Sequence, residues 1–129
     1  MRNAVIVAAL VGGMVVASPA LAGPGDVNAQ SFYEQASTVK KKGMAAVFDS
    51  RTKALTAQMK DAGQRVRAEN EAGKARGVPL YCVPDAARKK GLKPEQILAM
   101  IGRIPEQDRR QITLAQAWRR ALIREYPCR

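Results

Sequence analysis

The chain has 129 residues, 22 Lys+Arg against 11 Asp+Glu, a formal net charge of +11, no histidine and two cysteines. That length allows one modest domain, and the lack of histidine removes the usual general base near neutral pH and the commonest zinc ligand. Such a field draws anions, so an acidic protein, an anionic membrane face and nucleic acid all enter as partners, beside the plainer alternative of a basic surface that only aids solubility.

Met1-Arg2-Asn3 supplies a positive start, an apolar run extends from Ala4 to Ala17, and Ala20-Leu21-Ala22 has the A-x-A form of a signal-peptidase site. Residues 1–22 are therefore expected to be a cleaved signal peptide, leaving 23–129 as a single periplasmic domain with a charge near +10 once Arg2 is removed. The rival reading is a membrane anchor, but a run of about 14 apolar residues falls short of the roughly 20 a spanning helix needs. In an exported chain an even cysteine count reads first as a disulfide, here Cys82 with Cys128, against the alternative of two free buried thiols. Closing that loop is worth roughly 4 kcal/mol in the chain-entropy model.

From Asn28 to Lys41, Phe32, Ala36 and Val39 recur on one helical face, with Asn28 as N-cap and Gly43 as the stop. "MAAVFDS" is too short to show a period and is read as one helical turn dropping Val47 and Phe48 into the core. Asp49 and Ser50 then cap a long helix with a narrow apolar stripe of Leu55, Met59, Ala62 and Val66. The stripe fades after Val66, so the turns from Gly73 to Gly77 are expected to be exposed and to project. "GVPLYCVPDAARKKGLKP" reads as the main irregular connection, because Pro79 and Pro84 disfavour helix on either side of Cys82. Pro94 opens a further helix that buries Ile97, Leu98, Ile101 and Ile104 and stops before Pro105. Thr113 and Gln116 stand at capping-box spacing before the widest stripe, Leu114, Ala117, Trp118, Ala121 and Leu122, which ends at Tyr126-Pro127.

No strand-like alternation occurs, so the expected fold is all-α: a small bundle of four to five helices, with the Cys82–Cys128 bond clasping the last two long helices into a hairpin. No catalytic residues, metal ligands or cofactor site are expected. The carboxylate pairs Glu69/Glu71 and Glu106/Asp108 are two apart and do not face each other on a helix, and no phosphate-cradling glycine loop is present. What remains is basic: Arg65, Arg67, Arg88, Lys89, Lys90, Arg119, Arg120 and Arg124 are the candidate interaction residues. Nucleic acid is disfavoured by export and by the few aromatics, most of which fall on core-facing positions. Membrane insertion is disfavoured because these basic faces lack a wide face of exposed large apolar residues, leaving only electrostatic surface contact.

The C-terminal stretch, with Cys82 followed by Pro84, the helix containing "QIL", the "IPEQDRR" connection and "LAQAWRRALIREYPC", resembles the Rap/Tai family of periplasmic immunity proteins over residues 81–128. The resemblance implies a small exported α-helical domain that binds and neutralises a peptidoglycan amidase effector of type VI secretion. It carries over Cys82 and Cys128 as the disulfide, Pro84, Tyr126 and Pro127 as its frame, and Trp118 and Leu122 as core. The family's further cysteine pair, expected in the N-terminal half near a Gly-Tyr motif, is absent from "KKGMAAVFDS", and the long basic helix is unlike that of a typical member. The leading expectation is thus a non-enzymatic protein binding a cell-envelope partner. The alternatives are a polyanion-binding protein for lipopolysaccharide or anionic lipid, and a homodimer built on exposed helix faces.

Overall fold

The computed structural model describes residues 22–129, so the predicted signal peptide falls outside the described residues except for Ala22. Among the described residues the fold is all-α. Six α-helices, α1 (Ala29–Lys41), α2 (Ser50–Ala75), α3 (Asp85–Lys90), α4 (Pro94–Gly102), α5 (Glu106–Arg109) and α6 (Leu114–Glu125), are joined by 3-10 turns at Pro24–Asp26 and Gly43–Phe48.

The helix starts follow the local chemistry. Asn28 Oδ1 accepts from the amides of Gln30 and Ser31 at 3.0 and 3.1 Å. Asp49 Oδ1 accepts from Arg51 N at 2.9 Å, and its carboxylate is clamped by Lys42 and Arg51. At α6 the capping box closes both ways, Gln116 N donating to Thr113 Oγ1 at 3.2 Å and Thr113 N to Gln116 Oε1 at 2.9 Å. Gly43, with φ +57°, ends α1 by turning the chain into the 3-10 segment.

The core lies where α1, α2, α4 and α6 converge. Phe32, Val39, Leu55, Ala62, Val66, Met100, Ile101, Leu114, Trp118, Ala121 and Leu122 form one buried cluster. Ile101 and Leu114 are fully enclosed, which suits their place at the crossing of α4 and α6. Cys82 and Cys128 are bonded, and Cys82 N donates to Tyr126 O at 2.8 Å, so the chain entering α3 is fastened to the end of α6. This is the expected clasp around the C-terminal pair.

Four expectations need correction. Val47 and Phe48 do not enter the core: they are 77% and 90% exposed, because the 3-10 segment turns its small Ala46 inward. The end of α2 does not project freely. Asn70 is buried and its Oδ1 accepts from Leu80 N and Tyr81 N at 2.8 and 3.1 Å, folding the following strand of chain back along the helix. Gly73 makes this close approach workable, since a Cβ there would lie 2.6 Å from Val78 O. Two connections also carry helix: Asp85–Lys90 lies within the stretch read as irregular, started by Pro84 in extended conformation, and Glu106–Arg109 forms one turn.

That last turn carries a buried cation. Arg109 is 6% exposed; its Nε donates to Gln30 Oε1 at 2.7 Å, its Nη1 to the carbonyls of Gly102 and Ile104, and its guanidinium lies 4.2 Å from the Tyr33 ring centroid. The side chain staples α1 to the α4–α5 corner through acceptors that would otherwise be buried without donors.

Candidate functional site

Helices α2 and α4 each pack on α1 and α6 but not extensively on one another, and an open groove of about 1080 Å³ lies between them. Its floor comes from core-facing side chains of four helices: Phe32, Ala36 and Val39 of α1, Leu55 and Met59 of α2, Ile97 and Leu98 of α4, and Trp118 and Leu122 of α6. Leu92 and Val83 extend it toward the disulfide-anchored segment. The space exists because small residues stand where a closed bundle would place large ones. Ala36, Ala46, Gly63 and Ala87 all line it, and beyond the backbone of its own helix nothing comes within 4 Å of a Cβ placed on Gly63.

Magnitude decides what such a space means. At about 24 cal/mol per Å³, a dry void of this size would cost about 26 kcal/mol, well beyond the ~5–15 kcal/mol of net stability a domain possesses. The groove is therefore a solvent-open site and not a packing defect. Its size matches the upper end of small-molecule sites, and its wall is dominated by apolar side chains.

The rim has one sign of charge over most of its length. Lys40 from α1, Lys60 and Arg67 from α2 and Arg88 from α3 border the groove, against a single carboxylate, Glu95. No carboxylate among the described residues pairs with Lys40, Lys60 or Arg67, and Arg88 reaches only Val83 O at 3.4 Å. The Tyr126 side chain adds a neutral hydroxyl, whereas Thr52 and Thr56 donate theirs to the carbonyls of Ala46 and Thr52 and offer only acceptors. With no histidine or free thiol lining it, the groove has the equipment to hold an apolar chain and an anionic head.

Of the eight basic residues singled out from sequence, the structure brings two, Arg67 and Arg88, to this groove. Lys89 and Lys90 are exposed elsewhere on α3. Arg65 is committed to structure: Nη1 lies 2.8 Å from Asp26 Oδ1 and Nη2 2.6 Å from Asp61 Oδ2, fastening the Pro24–Asp26 turn to α2, where Gly25 N also donates to Asp61 Oδ2 at 2.8 Å. The Arg65 hydrogen bonds, then backbone amides from Gly23 and Gly25 respectively, hold the Asp26 and Asp61 carboxyls below the usual range. The three arginines of α6 are also engaged, Arg119 with Glu69 at 3.1 Å, Arg120 with Asp108 at 4.0 Å and Arg124 with Arg103 O at 3.2 Å.

Sequence reasoning missed Lys40 and Lys60. The signal for Lys60 was present, since Lys60, Gln64 and Arg67 stand four and three apart and so share a helix face. Nothing in the sequence linked that face to Lys40 or Arg88, whose approach depends on tertiary packing.

The second unforeseen feature adjoins the groove. Met44 is 93% exposed, and with Val47 and Phe48 it forms an apolar tip on the 3-10 segment whose Gly43 and Ala46 line the groove mouth. No described helix is long and apolar enough to cross a membrane.

No family model, curated protein or solved structure matches this chain. The C-terminal likeness to Rap/Tai proteins thus rests on its motif residues alone.

Proposed function

We propose that the chain is an exported, periplasmic, non-enzymatic binding protein whose groove takes an amphiphile with an apolar chain and an anionic carboxylate or phosphate head, the chemistry of envelope lipids. The observation that carries this reading is the convergence of Lys40, Lys60, Arg67 and Arg88 on the rim of an open apolar groove. The disulfide and the A-x-A sequence at Ala20-Leu21-Ala22 support an oxidising compartment outside the cytoplasm.

A twelve-carbon chain that buries most of its methylenes gains up to ~9 kcal/mol. At least ~4 kcal/mol is lost on association, and a charge-assisted contact to the head returns about 2 kcal/mol. The balance corresponds to a Kd on the order of 10 μM. Trp118, the only tryptophan, lines the groove, so ligand entry is read directly from its emission. Titration with dodecyl phosphate below its micellar concentration is expected to give a saturable change in that emission, with little response to dodecyltrimethylammonium. Equal responses to both would remove the basic rim from the account, and no response to either would remove the groove. A discrete envelope protein captured by oxidised protein and retained in half-molar salt, with no amphiphile response, would favour the amidase-neutralising reading instead.

A further inference from the structure

The tip at Gly43–Phe48 is built opposite to an ordinary surface helix. In a 3-10 turn, side chains three apart eclipse, so Met44 and Val47 lie on one edge with Phe48 beside them. The inward position goes to Ala46, whose carbonyl accepts from Asp49 N at 3.1 Å and Thr52 Oγ1 at 2.6 Å, fixing the turn against the start of α2. Three large apolar side chains are thereby held in water on a fastened, convex element. Around them the charge is basic: Lys40, Lys41 and Lys42 end α1, and the nearest carboxylate, Asp49, is already held by Lys42 at 2.5 Å and Arg51 at 2.8 Å.

We infer that this tip docks the protein on an anionic lipid surface, with Met44, Val47 and Phe48 entering the headgroup region while Lys41 rests on lipid phosphates. Charge complementarity and shape both favour a bilayer. Even at roughly 150–250 Å² for an aromatic side chain, three residues fall short of the ~800 Å² each partner gives a standard protein interface, whereas a bilayer demands no matching shape. A few apolar anchors combined with lysines give reversible attachment to anionic membranes. The tip borders the groove through Gly43 and Ala46, so docking sets the groove mouth at the lipid surface; that consequence rests on the groove reading, while the docking itself does not.

The test is co-sedimentation of the oxidised protein with vesicles of phosphatidylcholine alone and of phosphatidylcholine with 30% phosphatidylglycerol. Binding is expected only to the anionic vesicles and is expected to weaken in half-molar salt, where exposed charges are screened. Val47→Ser with Phe48→Ser should lower the vesicle partition coefficient at least about tenfold, and Lys41→Glu by several fold. None of these side chains lines the groove, so both variants should keep the parent's melting temperature and its Trp118 response to dodecyl phosphate. Undiminished vesicle binding by the double-serine variant would overturn the inference. So would a parent that is dimeric without lipid and becomes monomeric in that variant, which would assign the tip to a second copy. Vesicle binding without any dodecyl phosphate response would uphold the tip and reject the groove.

Discussion

The C-terminal pair α4–α6 and the edge formed by the Gly43–Phe48 segment draw on the same apolar residue types and treat them oppositely. On α6, Leu114, Ala117, Trp118, Ala121 and Leu122 recur at helical spacing, face the stripe of α4 and are buried. On the edge, Met44, Val47 and Phe48 are as apolar but belong to a six-residue turn with room for one inward position, and Ala46 occupies it. Burial follows from paired faces. Where a facing stripe exists the chain closes on itself, and where it does not, apolar surface is left for something else to cover.

The largest effect should come from opening the closed side. Cys128→Ser removes a constraint worth roughly 4 kcal/mol and frees the end of α6, lowering the melting temperature by roughly 10–25 °C. An unchanged melting temperature relative to the oxidised parent would mean that the clasp adds nothing to the packed helices. Arg109→Met should cost about 3 kcal/mol, because Gln30 Oε1 and the carbonyls of Gly102 and Ile104 would lose their donor in a buried setting. Chemical denaturation measures it, and a loss below about 1 kcal/mol would show that water replaces the guanidinium there.

Acid should act on the N-terminal fastening. Asp26 and Asp61 have carboxyl pKa values lowered in the folded protein, so their contribution is present above the ordinary value near 3.8 and is lost as pH falls through the lowered folded values. Melting temperature should therefore decline as pH drops below about 4, and Arg65→Gln should flatten that decline. Parallel pH profiles for parent and variant would remove the cluster from the stability account.

The long helices were legible in the sequence because their caps and stripes agree. Asn28, Asp49 and the Thr113–Gln116 pair each start a helix whose apolar residues keep a 3.6-residue period. The clasp was legible from an even cysteine count in a chain whose first 22 residues read as an export signal. The short helices α3 and α5 escaped because four to six residues cannot display a period. The groove escaped for another reason: Ala36, Gly63 and Ala87 are small residues far apart in the chain, and the volume they leave exists only when α1, α2 and α3 are assembled. Arg65 and Arg119 looked alike as free cations in the sequence, yet Asp26, 39 residues away, and Glu69, 50 residues away, engage them in the fold.

Gly63→Leu should change stability least while changing binding most. Replacing a helical glycine removes a propensity penalty of about 1 kcal/mol, and beyond the backbone of its own helix no atom stands within 4 Å of the new Cβ, so the added side chain occupies the groove without displacing the core. The most direct measurement is dodecyl phosphate titration followed by Trp118 emission in this variant and the parent. A melting temperature equal to or above the parent's, with the saturable response lost, is the predicted result. An unchanged Kd in the stably folded variant would contradict the assignment of the groove as the binding site.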